Sequence, residues 1–175
     1  MVKAQTYSTT KVKRHLEQYK IATMEDLKKV LGTDVRMTVF RKLRELPFRT
    51  SYSHRGKYYA LQKTIHFDDM GLWSCKSVWF SSYGTLLETT KAFVIKSEMG
   101  YSVIELDEIL HVSVKESLIN LFRKNSIGRK KVAGIYVYFA DSAEVQSKQV
   151  IRRKEYLHDQ SYKSGKVEEG LLYHE

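Results

Sequence analysis

The sequence is short of several things, and each shortage narrows what the chain can be. It has a single cysteine, Cys75, so no internal disulfide and no thiolate cluster for zinc is expected. No apolar run approaches the roughly 18 residues that a membrane span needs. The opening stretch MVKAQTYSTTKVKRHLEQYK lacks the apolar centre of a secretory leader, so a cytoplasmic protein with no membrane partner is the expectation. Phosphate-binding glycine loops, a GxSxG elbow and paired-carboxylate motifs are missing. The histidines at 15, 54, 66, 111, 158 and 174 have no second ligand at metal spacing, and the nearest approach to a site, His66 with Asp68 and Asp69, reads as a loop. These gaps give no catalytic residue, no metal and no cofactor to expect, and they argue against an enzyme.

Acidic residues are also scarce: 20 Asp+Glu face 30 Lys+Arg, a formal net charge of +10, which favours a polyanionic partner. The excess is not spread evenly. Residues 1–63 carry 15 basic and 5 acidic side chains, residues 64–140 carry 9 and 8, and residues from 141 onward carry 6 and 7. The positive surplus therefore belongs to the first third.

Within that third, TMEDLKKVLGTDVRMTVFRKLREL (23–46) reads as two short helices around a tight turn. Thr23 is placed to cap the first, with Asp26 three residues on. Leu27, Val30 and Leu31 make an apolar face, and Gly32 suits a left-handed helix end. Asp34 is the expected cap of the second helix, in which Val35, Val39, Leu43 and Leu46 are spaced to face inward. Upstream, Ser8–Tyr19 is an expected helix with Val12, Leu16 and Tyr19 on one face. Downstream, Arg49–Tyr52 and Lys57–Leu61 read as strands around Ser53-His54-Arg55-Gly56.

Three helices and a hairpin in this order resemble the winged-helix (helix-turn-helix) DNA-binding superfamily over residues 7–61. LKKVLGTDVRMTVFRKLREL followed by SHRGKYYAL is similar to the recognition segment and wing of many bacterial regulators. The resemblance implies that the Val35–Leu46 helix enters the major groove. Arg36, Met37 and Thr38 would then meet base edges, Arg41, Lys42 and Arg44 would meet phosphates or the groove wall, and His54, Arg55 and Lys57 would track a backbone or enter the minor groove.

The segment recurs. LDEILHVSVKESLINLFRKN, beginning at Leu106, falls without gaps on LKKVLGTDVRMTVFRKLREL, 79 positions earlier. Thr23 and Asp34 match Ser102 and Ser113, each with a glutamate three later, so two full capping boxes are expected. Gly134–Phe139 parallels Gly56–Leu61 at an offset of 78, which places a one-residue length change in the loop. Thr85–Lys96 would be the first helix of the second copy.

The expected architecture is thus α+β and mainly helical: two tandem winged-helix domains at 1–63 and 80–140. Between them lies an aromatic-rich packed junction, 64–79, with Val78–Phe80 a strand of the second domain and Trp73 at the junction. A C-terminal helix at 141–158 and a loose polar tail at 159–175 follow. The basic groups Lys115, Arg123, Lys124, Arg129, Lys130 and Lys131 mark a secondary surface for nucleic acid or for a partner. A homodimer or partner protein held by the second domain or the C-terminal helix stays open. The leading expectation is a sequence-specific double-stranded DNA-binding protein, a bacterial or phage-type transcription regulator associated with the nucleoid. The alternatives are a tandem winged-helix interaction scaffold in a chromosome-organisation or replication complex, and an RNA-binding module.

Overall fold

The computed structural model describes the backbone of residues 6–171 and the side chains of residues 6–163. The fold is mixed α+β, with helices and small antiparallel sheets. It divides between Thr89 and Thr90 into two compact units. No helix among the described residues is long and apolar enough to cross a membrane.

The first unit opens with α1 (Thr9–Tyr19), β1 (Ile21–Thr23), α2 (Met24–Leu31) and α3 (Arg36–Leu43). Val12 and Leu16 of α1, Leu27 and Leu31 of α2 and Val39 and Leu43 of α3 form one core with Ala22, Tyr59 and Leu61. Tyr19 is not part of that face. It is 47% exposed and packs against the His15 ring at the end of α1. The strands β2 (Phe48–Thr50) and β3 (Tyr58–Leu61) pair antiparallel, and β1 adds to the other edge of β3, giving the order β1-β3-β2.

Strand alternation explains the rest of this unit. Ala22, Tyr59 and Leu61 point to the helices, whereas Ile21 and Ala60 point to the opposite face of the sheet. A second hairpin, β4 (Leu72–Cys75) with β5 (Val78–Ser81), covers that face. Val78 and Phe80 join Ile21, Ala60 and Ile65 there, with Trp73 packed against them. The expected strand at Val78–Phe80 thus forms, but inside the first unit, and the aromatic stretch is a layer of that unit. The hydrophobicity of 64–82 was legible; its partner depended on which face of β3 lay open.

In the second unit, α4 (Leu86–Lys96, with the division inside it), α5 (Val103–Leu110) and α6 (Lys115–Arg123) precede β6 (Gly128–Val132) and β7 (Ile135–Phe139). Leu106, Leu110, Val114, Leu118, Val137 and Phe139 are fully buried. The hairpin turns at Ala133-Gly134, both with positive φ, as a two-residue connection demands.

The repeat extends to strand register. Ala22 pairs with Tyr59 and Thr50 with Tyr59 in the first unit; Tyr101 pairs with Tyr138 and Arg129 with Tyr138 in the second. Every one of these positions is displaced by 79. The glycine match at 78 was therefore misleading, and the hairpins have equal length. Gly56 and Gly134 occupy different places in differently shaped tips.

The last helix, α7, runs Ala143–Leu171, so the backbone of 159–171 is helical where a loose tail was expected; residues 172–175 lie outside the described part. Its Val150 and Leu157 pack on Val132, Val137 and Phe139. Two buried polar side chains fix it further. Gln149 accepts from the Ala140 amide at 2.8 Å and donates to the Val94 and Ser97 carbonyls at 2.9 Å. Arg153, only 2% exposed, holds Glu105 through two contacts of 2.9 Å. Isolated charges are costly to bury, and here the guanidinium is paired with a carboxylate to which Nη2 donates, while among the described residues Nε and Nη1 have no hydrogen-bond partner.

Candidate nucleic-acid interface

The candidate surface begins with the two short helices of the first unit. The Thr23 hydroxyl accepts from the Asp26 amide at 3.2 Å, and the Asp26 carboxylate accepts from the Thr23 amide at 2.8 Å, a complete capping box. The Thr23 hydroxyl and amide bonds to that carboxylate hold it below the usual aspartate range. Gly32 ends α2 in the left-handed conformation (φ 67°). The next cap differs from expectation. Asp34 does not cap α3; the N-cap is Val35, without a side-chain bond, and the Thr33 hydroxyl accepts from the Val35 amide at 3.2 Å. Val35 is 56% exposed, since the chain has not yet entered the helix where its spacing would turn it inward.

The helix itself, Arg36–Leu43, is shorter than Val35–Leu46 and sorts the candidate residues into two groups. Arg36, Met37, Arg41 and Arg44 are exposed. Met37, Arg41 and Arg44 lie at helical spacing on one outward stripe opposite Val39 and Leu43, and Arg36 is the first residue of the helix. Thr38 is buried at 7% exposure, next to Val39 in the chain. Lys42 is half-buried and its ammonium lies 2.9 Å from the Glu45 carboxylate, which also accepts from the Thr9 hydroxyl. Arg36 is propped by Phe40, its guanidinium 5.2 Å from the ring centroid.

The hairpin tip is built with care for its backbone. His54 (φ 52°), Arg55 (φ 57°) and Gly56 (φ 69°) are three successive left-handed residues, and only the last is a glycine. This conformation is unfavourable for L side chains and persists where surroundings enforce it. The enforcement comes from two buried serines. The Ser51 hydroxyl donates to the Ser53 carbonyl at 3.0 Å, and that carbonyl accepts from the Gly56 amide at 3.1 Å. The Ser53 hydroxyl accepts from the Trp79 amide at 2.8 Å, while the Trp79 carbonyl accepts from the Tyr52 amide at 2.9 Å. The β4–β5 hairpin thereby braces the tip. Burial pushes the Tyr52 phenol up, with the Asp68 carboxylate adding to the effect. His54, Arg55 and Lys57 remain exposed.

These pieces converge. Arg36 from the start of α3, Arg55 and Lys57 from the tip, and Thr23, Glu25 and Lys28 from the start of α2 line a single cleft of about 570 Å³. Lys28 is paired to Glu25 at 2.9 Å, which leaves three cations facing the opening. No family model, curated protein or solved structure matches the chain. Its chemistry must be argued from this geometry. Three cations around a concave, open surface favour a polyanion presenting several phosphates over a small neutral ligand.

In the second unit the Ser102–Glu105 capping box forms, and His111 takes the left-handed end position held by Gly32 in the first. The Ser113–Glu116 box does not. Val114 is the N-cap, and its amide donates to the Asp107 carboxylate at 2.7 Å, a partner seven residues back that sequence spacing does not reveal. Lys115, Arg123, Lys124, Lys130 and Lys131 are exposed, whereas Arg129 is half-buried with its guanidinium 4.4 Å from the Phe122 ring and 4.5 Å from the Tyr136 ring. Among the described residues, no group of three or more His, Cys, Asp or Glu side chains converges as a metal site.

Three contributors to this surface went unread in the sequence: the brace from Trp79, the β1 strand that sets Thr23 beside Tyr58, and Lys28 at the cleft. Only the Ser51-Tyr52-Ser53 run offered a signal, as a segment rich in backbone-bonding hydroxyls.

Proposed function

We propose that the protein is a sequence-specific double-stranded DNA-binding protein acting as a transcription regulator, and that each unit carries a winged helix. The single observation that carries the reading is the convergence of Arg36 with Arg55 and Lys57 on one cleft, with the exposed Arg41 and Arg44 farther along from Arg36. A helix bearing cations beside a cationic hairpin tip suits a duplex, whose phosphates flank a groove. Support for the tandem arrangement comes from the shared displacement of 79 in caps, helices and strand pairs.

In this mechanism α3 lies in the major groove. Arg36 presents two donors to guanine O6 and N7, and Met37 offers an apolar contact beside it. Arg41 and Arg44, farther along, neutralise phosphates. The braced tip carries Arg55 and Lys57 along the adjacent strand or into the minor groove. Thr38 and Lys42 serve packing and the local ion pair.

The test is binding of the purified chain to duplex DNA, duplex RNA and DNA pools under selection, across a salt series. The expected result is an enriched DNA motif and a logarithmic salt slope of about −0.9 for each phosphate neutralised. Preference for duplex RNA would make it an RNA-binding module. Binding to neither would leave the scaffold reading and overturn this one.

A further inference from the structure

The exposed face of α6 differs from that of α3 in a way that bears on specificity. At the displacement of 79, Arg36 becomes Lys115, Phe40 becomes Ile119, Arg41 becomes Asn120 and Arg44 becomes Arg123. Val39 and Leu118 are both fully buried at this displacement, whereas Val114 is buried where Val35 is exposed and Leu121 is buried where Lys42 is half-buried. The two helices share one central buried position and diverge in what they expose.

Glu116, Ile119, Asn120, Arg123 and Lys124 line one shallow cleft of about 390 Å³. Along the helix, a carboxylate stands at its earlier end, a carboxamide in its middle and cations at its later end. A carboxylate repels phosphate and tolerates the amino group of a base, so the earlier part of this face suits base edges and its cationic end suits the backbone. A carboxamide offers one donor and one acceptor side by side, the complement of adenine N6 and N7. The neighbouring Ile119 is half-exposed and apolar, suited to a thymine methyl.

We infer that α6 is a second base reader, in which Asn120 recognises adenine, Ile119 contacts a thymine methyl, and Arg123 and Lys124 hold the flanking phosphates. It rests on the duplex-binding reading and adds that the two units read different bases. Arginine-bearing α3 selects guanine and α6 selects an A·T pair, so the site is composite and the units are not interchangeable copies.

The experiment is selection of duplexes from random DNA by the full chain and by Asn120→Ala, Asn120→Gln and Arg123→Ala. The wild type is expected to enrich guanine positions and at least one adenine position. Asn120→Ala should lose discrimination at adenine by roughly tenfold while the guanine positions persist. Asn120→Gln, which keeps the carboxamide, should retain part of it. Arg123→Ala should weaken all sequences alike and reduce the salt slope by about one. Asn120 is exposed, so unchanged melting of each variant excludes misfolding. An identical motif from Asn120→Ala overturns this inference and leaves duplex binding standing; no wild-type duplex binding overturns both.

Discussion

The Trp79 amide donates to the Ser53 hydroxyl at 2.8 Å, joining the second hairpin of the first unit to the tip of the first, 26 residues away. The tip's three left-handed residues follow directly after that serine. What would otherwise be a loose loop is held in the conformation that sends Arg55 and Lys57 to the cleft.

Ser53→Ala should therefore act on function more than on the fold. It removes a buried acceptor and leaves the Trp79 amide without it, at a cost of about 1–2 kcal/mol. Hydrogen exchange at the Trp79 amide should quicken, and duplex affinity should fall several-fold as the tip is released. Unchanged exchange would show that the brace does not hold the tip.

Arg55→Gly separates stability from binding. The native φ of 57° is costly for arginine and free for glycine, so the variant should melt at the same temperature or higher. It also loses one cation from the cleft, so affinity should fall and the salt slope should shrink by about one. A drop in melting temperature would show that the arginine side chain supports the fold.

On α3, Arg36→Ala and Arg41→Ala should weaken DNA binding while leaving thermal stability unchanged, because both side chains are exposed. Thr38→Ala should do the reverse, lowering stability by about 1 kcal/mol through lost packing and leaving base preference intact. Paired melting and binding curves distinguish the two classes. Unaltered affinity in both arginine variants would remove this helix from the interface.

The Glu105–Arg153 pair gives a pH signature. Burial pushes the Glu105 carboxyl up, but the Arg153 guanidinium and the Ser102 bonds outweigh it and hold it below the usual carboxylate range. Its stabilising contribution is therefore complete at neutral pH, above the unfolded value, and is lost as pH falls through the lowered folded value. Glu105→Gln should cost about 2–3 kcal/mol near neutrality, less than a fully buried pair because the Glu105 side chain is 32% exposed. The gap between variant and wild type should close in acid; denaturant melts at stepped pH measure it. A gap that persists at low pH would contradict the assignment.

Much of the layout was legible because short-range signals are strong. The Thr23–Asp26 and Ser102–Glu105 caps, the Gly32 helix end and the inward spacing of Leu27, Val39, Leu43 and Leu118 all depend on residues within one or two turns. Misreadings arose where a distant group took over. Asp107 satisfied the Val114 amide in place of Ser113. The Ile21 and Ala60 face captured Val78 and Phe80 for the first unit. Exposure of Val35 and burial of Thr38 followed from where α3 begins, a shift of a residue or two that periodicity does not resolve.

By itself the sequence determined where most helices lie, the Thr23–Asp26 and Ser102–Glu105 caps, the duplicated pattern and the concentration of positive charge in residues 1–63, since each is written in neighbouring residues. Tertiary structure alone decided which of those charges share a cleft, how the tip is braced, and that α7 is bound to its unit by Gln149 and Arg153. Contacts between residues tens of positions apart depend on the closing of the chain around its core, and local spacing carries no record of them.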